Sequence, residues 1–170
     1  MHAWTIIVAC GTALGIRAEI EERGTPLRDG EIEGVSRSAM AFASTISGDR
    51  YLQSVGKIHR YGREMAAFFQ DYDILLTPTL AEPPAVIGRF NHDRDDYVNY
   101  RTGPDGVFAY SPYTAAFNAT GQPAASVPLC WSPDGLPIGI HLAGRFGEDE
   151  VLMSLCADLE RARPWFDRRP

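Results

Sequence analysis

The stretch from Ser111 to Gly144 constrains the fold of this chain more than any other segment. Ser111 followed by Pro112 is typical of a helix start, because a serine oxygen can accept an orphan amide hydrogen and proline suits the first helical position. Gly121 and Pro123 predict the end of that short helix, since glycine adopts left-handed backbone and proline cannot continue a helix.

Two apolar runs follow that helix, at residues 124–131 and 137–143, and Ser-Pro-Asp-Gly at 132–135 joins them. Proline and Asp-Gly favour a turn, so the pattern predicts a β-hairpin. The runs lack a strict apolar and polar alternation, which indicates strands buried on both faces. Such a hairpin needs helices on each side.

Three helices are predicted in residues 1–71 from the spacing of their apolar residues. The first is a core helix that starts near Trp4 and ends at Gly24. Its apolar run has no basic residue before it and is short and interrupted by glycines, which argues against a signal peptide or a membrane span. The second helix follows an N-cap at Asp29, and the third runs from Ser47 to about Gln70.

A buried strand is predicted at 72–79, directly after the third helix, and a C-terminal helix at 147–163. Between the strand and the hairpin, residues 80–110 carry loop signals without a sustained period, so they are predicted to form a variable loop. Helices that alternate with strands indicate an α/β fold, with a partial mixed sheet flanked by helices.

The net charge of -6 argues against nucleic acid or an anionic membrane as the main partner, because both need a positive field. The three cysteines are widely spaced and form no C-x-x-C pair, so we expect buried, reduced thiols and neither a disulfide framework nor a thiolate metal site. Reduced thiols favour a cytoplasmic location.

No local motif for chemistry stands out in the chain. The four histidines lack a metal-ligand partner three or four residues away, and no G-x-S-x-G or phosphate loop is present, so no metal and no cofactor is expected. Lys57, the only lysine, falls on a predicted exposed helix face. His141 lies in a predicted buried strand, where a core histidine and a catalytic base both remain open.

Three segments together resemble the C-terminal part of the amidase signature family. They are YDILLTPT at 72–79, PYTAAFNATGQPAASVP at 112–128 and DGLPIGIHLAGRFGEDEVLMSLCADLE at 134–160, in that order and with a variable loop in between. The upstream pieces GTPLRDGEIE and HRYGREMAAFFQDYD are similar to bacterial members of the branch that includes 6-aminohexanoate cyclic dimer hydrolase.

The resemblance implies that residues 1–170 form the C-terminal portion of a single amidase domain with an α/β/α fold. It also implies amide hydrolysis through a Ser-Ser-Lys triad that belongs upstream of this chain. No segment here matches the Gly/Ser-rich region that carries the triad, and Lys57 is not assigned the base role. The family often has glutamine where this chain has His141.

Four residues are expected to line the substrate pocket on the strength of the resemblance: Ser111, Tyr113, Thr114 and Asn118. The alternative for Ser111 is a helix cap, and the alternative for Asn118 is a hydrogen bond to nearby backbone. The loop up to Tyr110 would help to shape the pocket entrance.

The implied partners are a small-molecule amide substrate and an N-terminal catalytic half, with no nucleic acid and no membrane, and a homodimer stays open. The chain alone is expected to be inactive, supplying scaffold and one pocket wall. The alternatives are a noncatalytic subunit or assembly module that pairs with a separate catalytic half, and a truncated gene product.

Overall fold

The computed structural model describes residues 2–169, and their helices and strands confirm the predicted α/β class. In chain order the elements are α1 His2–Arg23, α2 Gly34–Ser44, α3 Gly48–Asp71, β1 Ile74–Pro78, α4 Tyr97–Thr102, α5 Val107–Tyr110, α6 Thr114–Thr120, β2 Ala124–Trp131, β3 Pro137–Gly144 and α7 Asp149–Ala162. They fall into two compact units, one made of residues up to 58 with 87–109, the other of 59–86 with the residues from 110 onward.

The first unit is helical and is organised around Tyr97, the first residue of α4. Tyr97 is buried in a cluster with Ala9 of α1 and Ala39 of α2. Its hydroxyl donates to the carbonyl oxygen of Thr5 at 3.0 Å, and its backbone N–H donates to Ser38 Oγ at 3.1 Å. A single residue therefore ties three helices together, and both its backbone N–H and its side-chain hydroxyl have hydrogen-bond acceptors.

The segment before α4 packs closely on the start of α2. Val35 N–H donates to the carbonyl of His92 at 2.8 Å, and a Cβ placed on Gly34 would lie 2.7 Å from the backbone nitrogen of Arg94. Glycine at position 34 thus permits a backbone approach that any side chain would block.

The variable loop predicted at 80–110 contains α4 and α5, which the sequence pattern did not reveal. These helices have six and four residues, too few for an apolar period to be visible. Each is held by one buried aromatic residue, Tyr97 in α4 and Phe108 in α5, and the guanidinium of Arg101 lies over both rings. Tertiary anchoring, rather than local propensity, accounts for them.

The second unit contains a three-stranded antiparallel sheet with the order β1-β3-β2. In its register, Thr77 pairs with His141 and His141 pairs with Ser126, so the three side chains share one face. The neighbouring row places Leu142 between Leu76 and Ala125 on the opposite face.

Helix α7 covers one face of the sheet. Leu152 of α7 is buried against Val127 and Leu142, and further apolar residues of α7 surround them. The acidic first turn of α7, with Asp149 and Glu150, complements the positive end of the helix dipole.

The other face of the sheet is apolar at one end and polar at the other. Phe69 near the end of α3 and Phe117 of α6 pack on Ala143, which forms the apolar end. The polar end lies toward Thr79 and Ser126. The sheet of the second unit is therefore sandwiched between α7 and the pair of α6 and the last turns of α3.

The prediction that the strands are buried on both faces is wrong for β1 and β2. Leu76 of β1 is 61% exposed, and Ala124, Ser126 and Cys130 of β2 are exposed, whereas His141–Gly144 of β3 are all buried. The central strand has a neighbour on each side and each outer strand has one neighbour in the described sheet, which explains the difference.

Two predicted helix starts are also wrong. Asp29 does not cap α2, which begins at Gly34 after Glu33. Helix α6 begins at Thr114, so Pro112 precedes it, and Ser111 Oγ bonds to the Thr114 hydroxyl at 2.7 Å instead of a backbone N–H. The predicted helix ends at Gly24 and Gly121 are confirmed, since their φ values are 67° and 77°.

Helix α1 is longer than its apolar run predicted. It has 22 residues and is long and apolar enough to cross a membrane, so the argument from short length is wrong. Thr5, Ile6, Ala9 and Ala13 are buried within the first unit, whereas Leu14 is 71% exposed, so α1 packs on that unit along one side.

The three cysteines are free thiols. The prediction that all of them are buried is wrong, because Cys130 is exposed and Cys10 and Cys156 are only partly buried. Burial raises the pKa of the Cys156 thiol, which keeps it protonated at neutral pH.

Candidate functional site

A small hollow of about 320 Å³ opens on the polar end of the sheet in the second unit. Three apolar residues contribute to its wall: Phe117, Ala124 and Ala125. The polar lining consists of Thr79, Thr114, Asn118, Gln122, Ser126 and His141. The hollow is thus built from strand residues on its floor and α6 residues on its side.

The sheet register places the floor of the hollow. Thr79 N–H donates to the carbonyl of Gly139 at 2.9 Å, and the hydroxyls of Thr79 and Ser126 lie 2.6 Å apart across β3. These hydroxyls can meet only because position 139 has no side chain: a Cβ on Gly139 would lie 2.6 Å from each of the two oxygens. The two hydroxyls therefore pack directly over Gly139.

His141 lies beside this pair in the central strand and is only 5% exposed. Its Nδ1 is 3.4 Å from Thr77 Oγ1, and its ring centroid is 5.2 Å from that of Phe117. Burial lowers the pKa of His141, so the imidazole is neutral at pH 7. A neutral imidazole has one donor and one acceptor nitrogen, which suits a hydrogen-bonding wall.

Helix α6 presents Thr114 and Asn118 to the hollow from successive turns, because residues four apart lie on one helix face. Asn118 Nδ2 is 3.5 Å from the carbonyl of Thr114, a long contact that leaves the amide largely available. Just beyond the helix, Gln122 Oε1 accepts the hydroxyl of Thr120 at 2.7 Å.

The four pocket residues expected from the sequence divide into two pairs. Thr114 and Asn118 line the hollow, and Ser111 contacts it indirectly through its bond to the Thr114 hydroxyl. Tyr113 is 38% exposed and does not line this hollow.

The sequence reasoning missed Thr79, Gln122 and Ser126 as lining residues. A signal existed in β2, where Ala124 and Ser126 alternate with Ala125 and Val127, but the small side chains hid it. The position of Thr79 beside Ser126 depends on pairing between distant segments, which no local pattern encodes.

The hollow offers polar groups that can form hydrogen bonds with a ligand. None of the described residues that line it carries a carboxylate, an ammonium or a guanidinium group. Lys57 lies in the first unit on an exposed face of α3. Among residues 2–169, no group of three or more histidine, cysteine or acidic side chains could hold a metal ion.

A larger hollow of about 1170 Å³ lies in the first unit, between α2 and the segment that leads into α4. Four of the five charged lining residues that the structure describes form two ion pairs, Arg37 with Asp93 at 3.4 Å and Arg94 with Asp96 at 2.5 Å, and Asp95 is the fifth. These pairs explain how the segment before α4 is fixed, and we assign them that structural role.

Many proteins of different function share an α/β unit in which helices cover both faces of a sheet. Similarity to known proteins therefore identifies the protein family. The sequence profile of the amidase family matches residues 23–153, and the chain belongs to this family. The predicted resemblance is confirmed.

Relatives agree with this assignment. The chain is 29% identical over 164 residues to 6-aminohexanoate-cyclic-dimer hydrolase of Paenarthrobacter ureafaciens, an alignment that covers 92% of this chain and 33% of that protein. The structure of this chain is similar to that of 6-aminohexanoate cyclic dimer hydrolase complexed with substrate, with a TM-score of 0.83 and 25% identity. The match covers 99% of this chain and 36% of the hydrolase chain.

A bacterial aryl acylamidase of the amidase signature family is also similar, with a TM-score of 0.76, 25% identity and coverage of 99% of this chain and 36% of that one. The chain therefore spans about a third of the length of each of these three relatives.

Proposed function

We propose that this chain works as the C-terminal segment of an amide hydrolase. In this proposal a Ser-Ser-Lys triad in the preceding part of the family fold performs the reaction: a serine attacks the amide carbonyl, an amine or ammonia leaves, and water releases the acid. This chain supplies part of the scaffold and one wall of the substrate pocket, and the assembled enzyme is cytoplasmic.

The observation that carries the proposal is the uncharged hollow at the polar end of the sheet. It offers hydroxyl and amide groups that can orient a substrate, from Thr79 and Ser126 on the floor and Asn118 on the side. Among its described lining residues the titratable group is the neutral imidazole of His141, and the Thr79 and Ser126 hydroxyls bond to each other, so we assign the nucleophile and the base to the triad of the preceding segment. A wall that orients without reacting is what a segment apart from the triad should contain.

Within the pocket we propose substrate-contact roles for Ser111, Tyr113, Thr114 and Asn118. Thr114 and Asn118 would act directly from the hollow, and Ser111 would hold the Thr114 hydroxyl in place. Tyr113, which is partly exposed at the start of α6, would contact substrate only from outside this hollow.

The test compares the 170-residue chain alone with the same chain co-expressed with an N-terminal segment of an amidase relative that carries the triad. Simple aliphatic and aromatic amides serve as substrates. We expect no turnover by the chain alone and turnover by the complex. Lys57→Ala should leave that turnover unchanged, because Lys57 lies on an exposed face, whereas Asn118→Ala should raise KM. Robust hydrolysis by the chain alone that depends on Lys57 would overturn the proposal.

A second candidate function is that of a noncatalytic assembly module. Both outer strands of the described sheet have unpaired edges, and Leu76 of β1 is 61% exposed, features that favour association with another polypeptide. A stable complex with the triad-bearing segment that hydrolyses none of the amides would favour this role.

A further inference from the structure

The chemical character of the hollow limits which substrate groups it can accept. All six of its polar lining residues are uncharged at neutral pH: three hydroxyls, two carboxamides and the buried imidazole of His141. Hydroxyls and carboxamides can donate as well as accept hydrogen bonds, so they complement a ligand that does both.

An ion would gain less from this lining. A carboxylate or ammonium group that enters the hollow loses part of its hydration, and no described lining residue supplies an opposite charge. Removing an ion from water without a partner of opposite charge is strongly unfavourable, while an uncharged group loses less hydration and recovers it in hydrogen bonds.

The size of the hollow sets a second limit. At about 320 Å³ it lies at the lower end of the roughly 300–1,000 Å³ range of small-molecule sites. It can therefore hold one end of a substrate of moderate size. The contact of Phe117 with the ring of His141 gives that end an apolar boundary on one side.

We propose that this hollow selects substrates whose group seated there is polar but uncharged, such as a carboxamide, over otherwise equal substrates that carry a carboxylate or an ammonium group. The inference deepens the proposed amide hydrolysis and rests on it, because it names the class of substrate that the same pocket accepts. Ser126 and Thr79 are the specificity-determining hydroxyls, with Asn118 opposite them on α6.

Binding to the isotope-labelled 170-residue chain tests this selection without any turnover. Propionamide, propionate and propylammonium are matched in size and differ in charge, and each is titrated while the backbone amide signals of Thr79, Ser126 and His141 are followed by NMR. We expect saturable shifts with propionamide and a dissociation constant at least about tenfold larger for both ions. Equal or tighter binding of either ion, or no saturable shift with propionamide, would overturn the selection.

Variants locate the effect at the hydroxyl pair. Ser126→Ala should weaken propionamide binding by about two- to tenfold, the usual contribution of one hydrogen bond. Ser126→Asp should reverse the preference toward propylammonium. Ser154→Asp is the matched control, since Ser154 is exposed on α7, which packs on the opposite face of the sheet, and it should change nothing. The dispersed NMR spectrum of each variant reports that it is folded.

The two proposals fail in different ways. If the assembled complex hydrolyses amides but the hollow binds ions as well as propionamide, the selection is wrong and the hydrolase proposal stands. If the complex hydrolyses no amide, the hydrolase proposal is wrong, and the naming of a substrate class falls with it even where propionamide binds selectively.

Discussion

Replacing Gly139 by alanine tests the packing that creates the candidate site. A Cβ at this position would lie 2.6 Å from Ser126 Oγ, 2.6 Å from Thr79 Oγ1 and 3.1 Å from Thr79 Cβ. Ordinary contacts of a Cβ begin at 3.4 Å. Both hydroxyls must therefore retreat by roughly 0.8 Å, although they are bonded to each other and Thr79 is held to the Gly139 carbonyl through its backbone.

The expected cost follows from two opposing effects. Overpacking of this kind destabilises a protein by about 1–3 kcal/mol. Alanine also lowers the conformational entropy of the unfolded chain relative to glycine, which stabilises the folded protein by about 0.4–1 kcal/mol. We expect Gly139→Ala to lower the free energy of unfolding by about 1–2 kcal/mol, measured by urea denaturation followed by circular dichroism with an unchanged m value.

Gly11→Ala is the matched control. Gly11 lies inside α1, and a Cβ there meets nothing within 4 Å, so alanine should stabilise the chain by about 0.5–1 kcal/mol. The opposite signs of the two substitutions are the discriminating result. If Gly139→Ala is as stable as the unmodified chain, the close approach of the two hydroxyls across β3 is wrong.

A second-site change locates the strain. Ser126→Ala removes one of the two oxygens that the new Cβ would meet, so the double variant with Gly139→Ala should be less destabilised than the sum of the single variants. A coupling of about 0.5 kcal/mol or more is expected for residues in direct contact. Strict additivity would place the strain elsewhere.

Three further outcomes are expected from perturbing charged and titratable groups. Burial lowers the pKa of His141, so below about pH 6.5 the unfolded chain takes up a proton that the folded chain does not, and stability falls as the pH drops through that range. His141→Gln should make stability less dependent on pH, measured as urea midpoints at pH 7.5 and 5.5. The pKa of Glu31 is lowered to about 2, chiefly by the hydrogen bond from Arg23, so stability present above about pH 4.5 is lost as the pH falls toward 2. Arg23→Ala should raise this pKa toward 4.5 in a carboxyl NMR titration. An unchanged pKa would contradict the assigned cause. Arg145 donates to the Phe69 carbonyl and to Asp73, both at 2.7 Å, so Arg145→Ala should lower the free energy of unfolding by about 1–2 kcal/mol in thermal denaturation. Arg145→Lys should recover only part of that free energy, because lysine lacks the planar guanidinium group that donates in two directions.

Features fixed by local chemistry were predictable from the sequence. The turn at 132–135, the helix end at Gly121 and the helix with the acidic first turn that follows Gly147 each depend on residues adjacent in the chain. The short helices α4 and α5 were missed because distant contacts hold them, such as the bond from the Tyr97 hydroxyl to Thr5. Local pattern carries no information about such anchors.

The candidate site was predictable only on its α6 side. Thr114 and Asn118 belong to one segment and were named from the resemblance, whereas the floor comes from β2, from β3 and from Thr79, the residue that follows β1. Thr77 and His141 are 64 positions apart, and Thr79 and Ser126 are 47 apart, so only the sheet register brings them together.

That register also explains why the site must be polar where it is. Side chains in a strand alternate between faces, so a slip of β3 by one residue would move Leu142, which is 1% exposed, into the hollow and drive His141 into the apolar layer under α7. Both moves are unfavourable, because one removes a large core side chain and the other buries an imidazole without a polar partner. Gly139 reinforces the same register, since only glycine fits between Thr79 and Ser126. The residues that define the hollow are therefore also the residues that fix the alignment of the sheet, and a substitution that alters substrate preference at Ser126 acts on a position that the fold itself constrains.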